Sequence, residues 1–153
     1  MTATAPDSGE LFQEWLHPEP FWMLVACILV NRTHWSQVEP VLMRLRARCN
    51  GARGLERLNH EELIEIIRPL GFHNRRANLL KRFAMAWIDS YMKVWPKSAE
   101  DVATLPGCGM YAIQSYQMFV LREKPNAPVS DHKLAWYLEN RWDDAREVGR
   151  AML

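Results

Sequence analysis

The stretch Leu105-Pro106-Gly107-Cys108-Gly109 puts two glycines and a proline into five residues, and a helical pattern follows at once. Glycine tolerates positive φ and has no Cβ, so such a turn bends sharply and lies flat against a ligand. The helix leaving it opens with unpaired N–H groups, and these amides together make a nest for an anion such as a phosphate. Asp131 stands 22 residues after Gly109, at the head of a second helical pattern, DHKLAWYL. A helix over 110–121 carries the chain about 18 Å from the turn, and the nine residues 122–130 can span up to about 30 Å and bring it back. Asp131 would then begin its helix beside the glycine turn, where N-terminal amides favour a charged carboxylate. A helix N-cap at Ser130 or Asp131 is the structural alternative, and the two roles are compatible.

Other chemistry-bearing residues point nowhere so definite. Cys27, Cys49 and Cys108 have no CxxC spacing, and the five histidines show no HxxxH or HExxH pairing. Neither disulfides nor a metal site are expected. The longest apolar run, Phe21 to Val30, is ten residues, too short for a bilayer and suited to a buried helix. The N-terminus MTATAPDSGE lacks the pattern of a secretory signal.

The elements that must position these residues are helical almost throughout, because period-two alternation is scarce. Helices are expected near 10–16, 20–31, 36–48, 60–68, 74–91, 98–103, 110–121 and 131–142. Ser36 with Glu39, Asn59 with Glu62 and Ser98 with Asp101 read as helix starts. Pro18, Pro20, Asn50-Gly51, Pro69 with Gly71, Pro96 and Pro106-Gly107 read as breaks. Residues 1–10 read as a floppy tail, and 11–153 as a single domain. Seven tryptophans in 153 residues promise either a large aromatic core or aromatic surface kept for a partner.

Net charge is +1, but residues 44–82 carry ten basic and four acidic side chains. Such a segment suits phosphates. On charge alone, solvated faces of amphipathic helices are the better explanation.

The apolar-Pro-Gly-x-Gly turn between two helices is the helix-hairpin-helix element, which also occurs in non-catalytic DNA-binding modules. With the downstream aspartate, it resembles the HhH-GPD superfamily of DNA glycosylases. That resemblance implies an all-α fold of two helical lobes with a cleft between them. It implies an enzyme that flips a damaged or mismatched base from DNA, with Asp131 as the catalytic carboxylate that stabilises the cationic sugar. Lyase-competent members carry a lysine two residues after the second glycine; here that residue is Tyr111, which implies a monofunctional enzyme. Many members end in four cysteines that hold an iron–sulfur cluster. No cysteine follows Cys108, so neither cluster nor other cofactor is expected.

Within the superfamily, residues 11–33, 67–83, 105–119 and 131–134 are similar in order and spacing to the glycosylase domain of the methyl-CpG-binding-domain thymine glycosylases. Those remove thymine or uracil opposite guanine. The resemblance implies that Gln13, Tyr111 and Lys133 line the base pocket, with Gly107 and Gly109 gripping the backbone. Arg32 would fill the gap left by the flipped base, while Leu70 and Phe72 wedge against its orphaned partner. Each has a plainer explanation. Gln13 and Lys133 would be solvated surface residues, Tyr111 core packing, Arg32 a cation at a helix C-terminus, and Leu70 the apolar contact of a helix stop. Three features depart from that family's pattern: Phe72 where a smaller aliphatic residue is expected, Met110 in place of a lysine, and the run Ala112-Ile113-Gln114. The expected partner is double-stranded DNA with a mismatched or damaged pyrimidine, met by a monomer. No membrane role is expected, and the compartment would be the nucleus of a eukaryote or the cytoplasm of a bacterium. A glycosylase for adenine or an alkylated base, a non-catalytic DNA-binding module and a helical protein-interaction domain remain the alternatives.

Overall fold

A computed structural model of the chain describes residues 11–143, and every regular element among them is helical. The expected tail at 1–10 and the end of the expected domain at 144–153 lie outside the described residues. The helices are α1 (Phe12–Leu16), α2 (Pro20–Leu29), α3 (Trp35–Arg48), α4 (Ala52–Arg57), α5 (His60–Ile67), α6 (His73–Ser90), α7 (Ala99–Ala103), α8 (Met110–Tyr116) and α9 (His132–Asn140). No described helix is long and apolar enough to cross a membrane.

The apolar run of the sequence becomes α2, and all ten of its side chains are buried. A helix that is apolar on every face must be covered on every face, and α2 packs against α1, α3, α6 and α8. Each of its large aliphatic side chains contributes about 1.5–3 kcal/mol by leaving water. One group of helices, α3 to α6, packs on itself and on α2; α7 packs on α8, which returns to α2. Phe21 of α2 stacks on Phe83 of α6 at 5.4 Å and meets Trp87 edge-on at 5.5 Å. The three-and-four spacing along α6 buries Ala77, Leu80, Phe83, Ala84 and Trp87 as one stripe. Helix α9 is held through Tyr137, whose ring lies 4.7 Å from Phe119.

The caps follow the sequence at two of three places. Asn59 accepts from the Glu61 and Glu62 amides, and Ser98 accepts from the Asp101 amide. The start expected at Ser36 is displaced. His34 is the N-cap of α3, and its Nδ1 accepts from the Ser36 amide at 3.1 Å. An imidazole two residues ahead of that amide does the job expected of the serine oxygen. Helix α4 is not among the expected helices, in a stretch where Asn50-Gly51 reads as a break. It forms because Ala52 and Leu55 are buried and the helix packs along α6, a tertiary gain that outweighs weak propensity. The helix expected over 110–121 keeps α-helical bonding only to Tyr116, and then widens into a π-turn over Gln117–Leu121.

Most of the basic segment is engaged within the protein. Arg48 pairs with Glu62, and Arg68 with Glu65. Arg46 pairs with Glu19 and lies 5.5 and 5.9 Å from the rings of Trp15 and Trp22. Arg44 donates to the Ile66 carbonyl, and Lys81 to the carbonyls of Glu56 and Leu58 at the end of α4. Arg76 is buried. Arg53, Arg57, Arg75 and Arg82 are exposed, so the phosphate-seeking share of the run is smaller than its length suggests.

Candidate functional site

A cleft of about 810 Å³ opens where α1, the C-terminal end of α2, the glycine turn and the start of α9 meet. Its walls include Gln13, Arg32, Gly107, Gly109, Tyr111, Asp131 and Lys133. Seven of the nine residues singled out by sequence therefore share one cavity, drawn from positions as far apart as 13 and 133. The volume suits a flipped nucleotide as well as any small ligand.

The two glycines of the turn serve different ends. Gly107 has φ +80°, and a Cβ there would lie 3.1 Å from Leu79 Cδ2 and 3.2 Å from Ile28 Cγ1. It seats the turn on α2 and α6, together with the buried Leu105. Gly109 has ordinary extended geometry, φ −87° and ψ −165°, and nothing lies within 4 Å of where its Cβ would be. The fold does not demand a glycine there, and the bare backbone is open to close approach by a ligand. No side chain caps α8, and its first helical bond runs from the Ile113 amide to the Gly109 carbonyl at 3.0 Å. The amides just before it, at residues that line the cleft, have no partner within the helix, and free amides of this kind can hold an anion.

Asp131 caps α9, accepting from the Leu134 amide through Oδ2 at 3.0 Å. The cap engages Oδ2 and leaves Oδ1 without a hydrogen bond to a described residue, on a side chain that lines the cleft. The loop 122–130 that returns the chain is tethered by Gln114. This buried side chain donates to the Pro128 carbonyl at 3.2 Å and the Ala127 carbonyl at 3.4 Å.

Gln13 is buried rather than solvated, 2 % exposed. Its Nε2 donates to Tyr111 Oη at 2.7 Å and to Ser115 Oγ at 3.1 Å. Both amide protons are thus engaged, and the carbonyl oxygen is the acceptor that remains for a ligand. Burial pushes the Tyr111 phenol well above its ordinary range, with further contributions from Cys27 and Asp131. It is a neutral hydroxyl with a proton to donate. Cys27 lies on the cleft wall, and burial likewise pushes its thiol up, against a hydrogen bond with Ser115. It is a neutral wall, not a nucleophile.

Lys133 is exposed on the cleft rim. Arg32 is exposed too and adopts φ +66°, a left-handed conformation uncommon outside glycine. The two wedge candidates part company. Leu70 ends a 3-10 turn over Arg68–Leu70 and is folded into the core, 9 % exposed. Phe72 follows Gly71, takes φ +48° and is 64 % exposed. The apolar contact of a helix stop describes Leu70, while Phe72 is the side chain that stands out into solvent. Neither lines the cleft.

Sequence reasoning missed Cys27 on the cleft wall, Ser115 beside Gln13, Gln114, which tethers the loop leading to Asp131, and Arg76, which does not line the cleft. Ser115 was within reach, because it lies four residues after Tyr111 and so shares its helix face. Gln114 drew notice only as a departure. Arg76 carried no signal, being one of ten cations in a basic run.

Residues 25–148 match the HhH-GPD superfamily of base excision DNA repair proteins. The chain is 29% identical over 136 residues to a methyl-CpG-binding domain protein 4-like protein of Arabidopsis thaliana, covering 89% of this chain and 28% of that one. It is 31% identical over 94 residues to a thymine/uracil-DNA glycosylase of Pyrobaculum aerophilum, covering 61% of this chain and 41% of that one. The chain spans between about a quarter and half of the length of the curated relatives it matches. Among solved structures, a thermostable thymine-DNA glycosylase superposes with TM-score 0.69 at 21% identity, over 76% of this chain and 54% of that one. Endonuclease III in a non-covalent DNA complex superposes with TM-score 0.65 at 21% identity, over 93% and 72%. The all-α architecture is thus that of the glycosylases, and with the family pattern spanning most of its length, the chain belongs to the HhH-GPD superfamily of base excision DNA repair proteins.

Proposed function

We propose that this protein is a monofunctional DNA glycosylase that removes thymine or uracil, and related 5-substituted pyrimidines, mispaired with guanine. It would act as a monomer on double-stranded DNA inside the cell, with residues 11–153 forming one catalytic domain. The observation that carries the reading is the shared cleft of Asp131, the bare amides after Gly107 and the Gln13–Tyr111 pair. The Gln13 carbonyl accepts and the Tyr111 hydroxyl donates. An imide N–H beside a carbonyl, as in thymine and uracil, complements that pair. Cytosine presents a bare ring nitrogen to the Gln13 oxygen, and the two acceptors repel.

The chemistry follows from the layout. The turn amides hold a phosphate next to the extruded nucleotide while Arg32 and Phe72 occupy the opened stack. The C1′–N1 bond breaks with its electron pair leaving on N1, and Tyr111 stabilises the departing base by hydrogen bonding. The cationic sugar faces the Asp131 carboxylate, and water adds at C1′ and loses a proton, leaving an abasic site. With Tyr111 where lyase-competent relatives carry a lysine, the strand is not cut. Relatives named as thymine and thymine/uracil glycosylases support the substrate class; endonuclease III likeness supports the fold alone.

The test is base release from G·T, G·U and matched duplexes, with and without hot alkali. Strand breaks are expected at G·T and G·U only after alkali. Asp131→Asn should still bind the G·T duplex and release no base. Near-full release by that variant would remove Asp131 from the mechanism. Release from adenine or alkylated-base duplexes instead would move the substrate class, and salt-sensitive binding without release would favour a non-catalytic module.

A further inference from the structure

Arg76 is 7 % exposed, and no carboxylate is among its hydrogen-bond partners. It sits near the start of α6, and its side chain reaches back past the helix N-terminus, the direction helical side chains favour. Nη1 donates to the Leu70 carbonyl at 2.9 Å and the Gly71 carbonyl at 3.4 Å. Nη2 donates to the Asn31 carbonyl at 2.8 Å and to Thr33 Oγ1. These acceptors have a pattern. Asn31 and Thr33 are the neighbours on either side of Arg32, and Leu70 and Gly71 immediately precede Phe72. Arg32 and Phe72 are two of the three non-glycine residues with positive φ among the described residues. One guanidinium, reaching back 45 residues to Asn31 and 43 to Thr33, therefore ties together the two loops that present left-handed, exposed side chains.

We infer that Arg76 is a positioning residue that locks the Arg32 loop to the Phe72 loop, so that both side chains enter the duplex as one preorganised unit. This rests on the reading of Arg32 and Phe72 as the residues that fill an opened stack. The planar fork is what the task requires, since two nitrogens each serve a different loop. A lysine carries its three donors on one nitrogen and lacks the planar fork that lets each nitrogen serve its own loop. Anchoring α6 itself does not need the guanidinium, because Ala77, Leu80, Phe83, Ala84 and Trp87 already bury that helix. Without the lock, each loop must be ordered when DNA binds, and the ordering cost falls on the extrusion step.

The experiment compares Arg76→Lys, Thr33→Val and the wild-type protein on two duplexes. One carries a G·T pair, and the other has the same thymine opposite an abasic site, where no partner base must be wedged or kept apart. Thermal midpoints fix a temperature at which each protein is folded. Arg76→Lys should release thymine from G·T about ten- to a hundredfold more slowly, the scale of lost charged hydrogen bonds. Its deficit should shrink to about threefold or less on the abasic-partner duplex, where extrusion is cheap. Thr33→Val should show the same split at smaller size, and it decides the matter alone should Arg76→Lys not fold. Equal losses on both duplexes, or no loss on G·T, would overturn the lock and leave the glycosylase reading standing. Absence of release by the wild-type protein from both duplexes would overturn that reading, and the lock with it.

Discussion

The two glycines of the turn offer a sharp prediction, because the same substitution should separate fold from ligand binding. Gly107→Ala places a methyl group at φ +80° and within 3.1–3.2 Å of Leu79 and Ile28. The left-handed conformation costs about 1–2 kcal/mol, and displacing well-packed neighbours adds about 1 kcal/mol more. A total of about 2–3 kcal/mol lowers the melting temperature of a domain this size by about 4–12 °C. Gly109→Ala meets nothing within 4 Å, and its extended backbone suits alanine. That substitution should leave the melting temperature unchanged or raise it by about 1–3 °C, since alanine has less freedom to lose on folding. Its added methyl stands where the phosphate must come close to the amides. Losing one charged hydrogen bond there weakens DNA binding by about ten- to a hundredfold. Calorimetry gives the first quantity and a titration with a fluorescent G·T duplex the second. Should Gly109→Ala bind DNA as tightly as the parent, the amides after Gly107 do not hold the phosphate, and the geometry of the proposed site fails with them.

Other expectations are as concrete. Gln114→Leu should slow thymine release about tenfold with little change in KM, because it unties the loop that aims Asp131; an unchanged kcat would show that the Asp131 cap alone suffices. Its stability cost should be about 1 kcal/mol or less, since Ala127 and Pro128 are exposed residues whose carbonyls can regain water. Cys27, Cys49 and Cys108 are buried, and burial pushes the Cys108 thiol up to about 12. All three should resist alkylation at pH 8 in the native protein and react in denaturant, as counted by mass spectrometry. Burial, with the Arg122 charge, holds the His17 imidazole below its ordinary value. The folded protein then binds fewer protons than the unfolded chain, so this contribution is present above about pH 6.5 and is lost as pH falls through the depressed folded value. His17→Gln should flatten the acid limb of a plot of melting temperature against pH, and an identical limb would exclude His17 from it.

The sequence by itself determined the helices that bury a continuous stripe, the turn chemistry at Gly107 and Gly109, and the pairing of that turn with Asp131. These are legible because they depend on neighbours along the chain: periodicity, the lack of a Cβ, and the length of a loop that must return. The apolar run 21–30 could become little other than the covered helix α2. What remained hidden depends on partners far away in sequence. Helix α4 exists because α6 gives Ala52 and Leu55 something to pack on. His34 rather than Ser36 caps α3 through an imidazole that no capping rule foresees. Gln13 is placed in a pocket only by resemblance, with a surface residue as the alternative; what makes it an acceptor is that Tyr111 and Ser115, 98 and 102 residues on, take both its amide protons. Leu70 and Phe72 both flank Gly71, with Phe72 the better wedge by its sequence, and only the structure shows Leu70 folded inward and Phe72, at positive φ, turned out. Arg76 is the extreme case, one arginine among many in the chain, whose place under two loops at once is decided entirely by how α6 meets the end of α2.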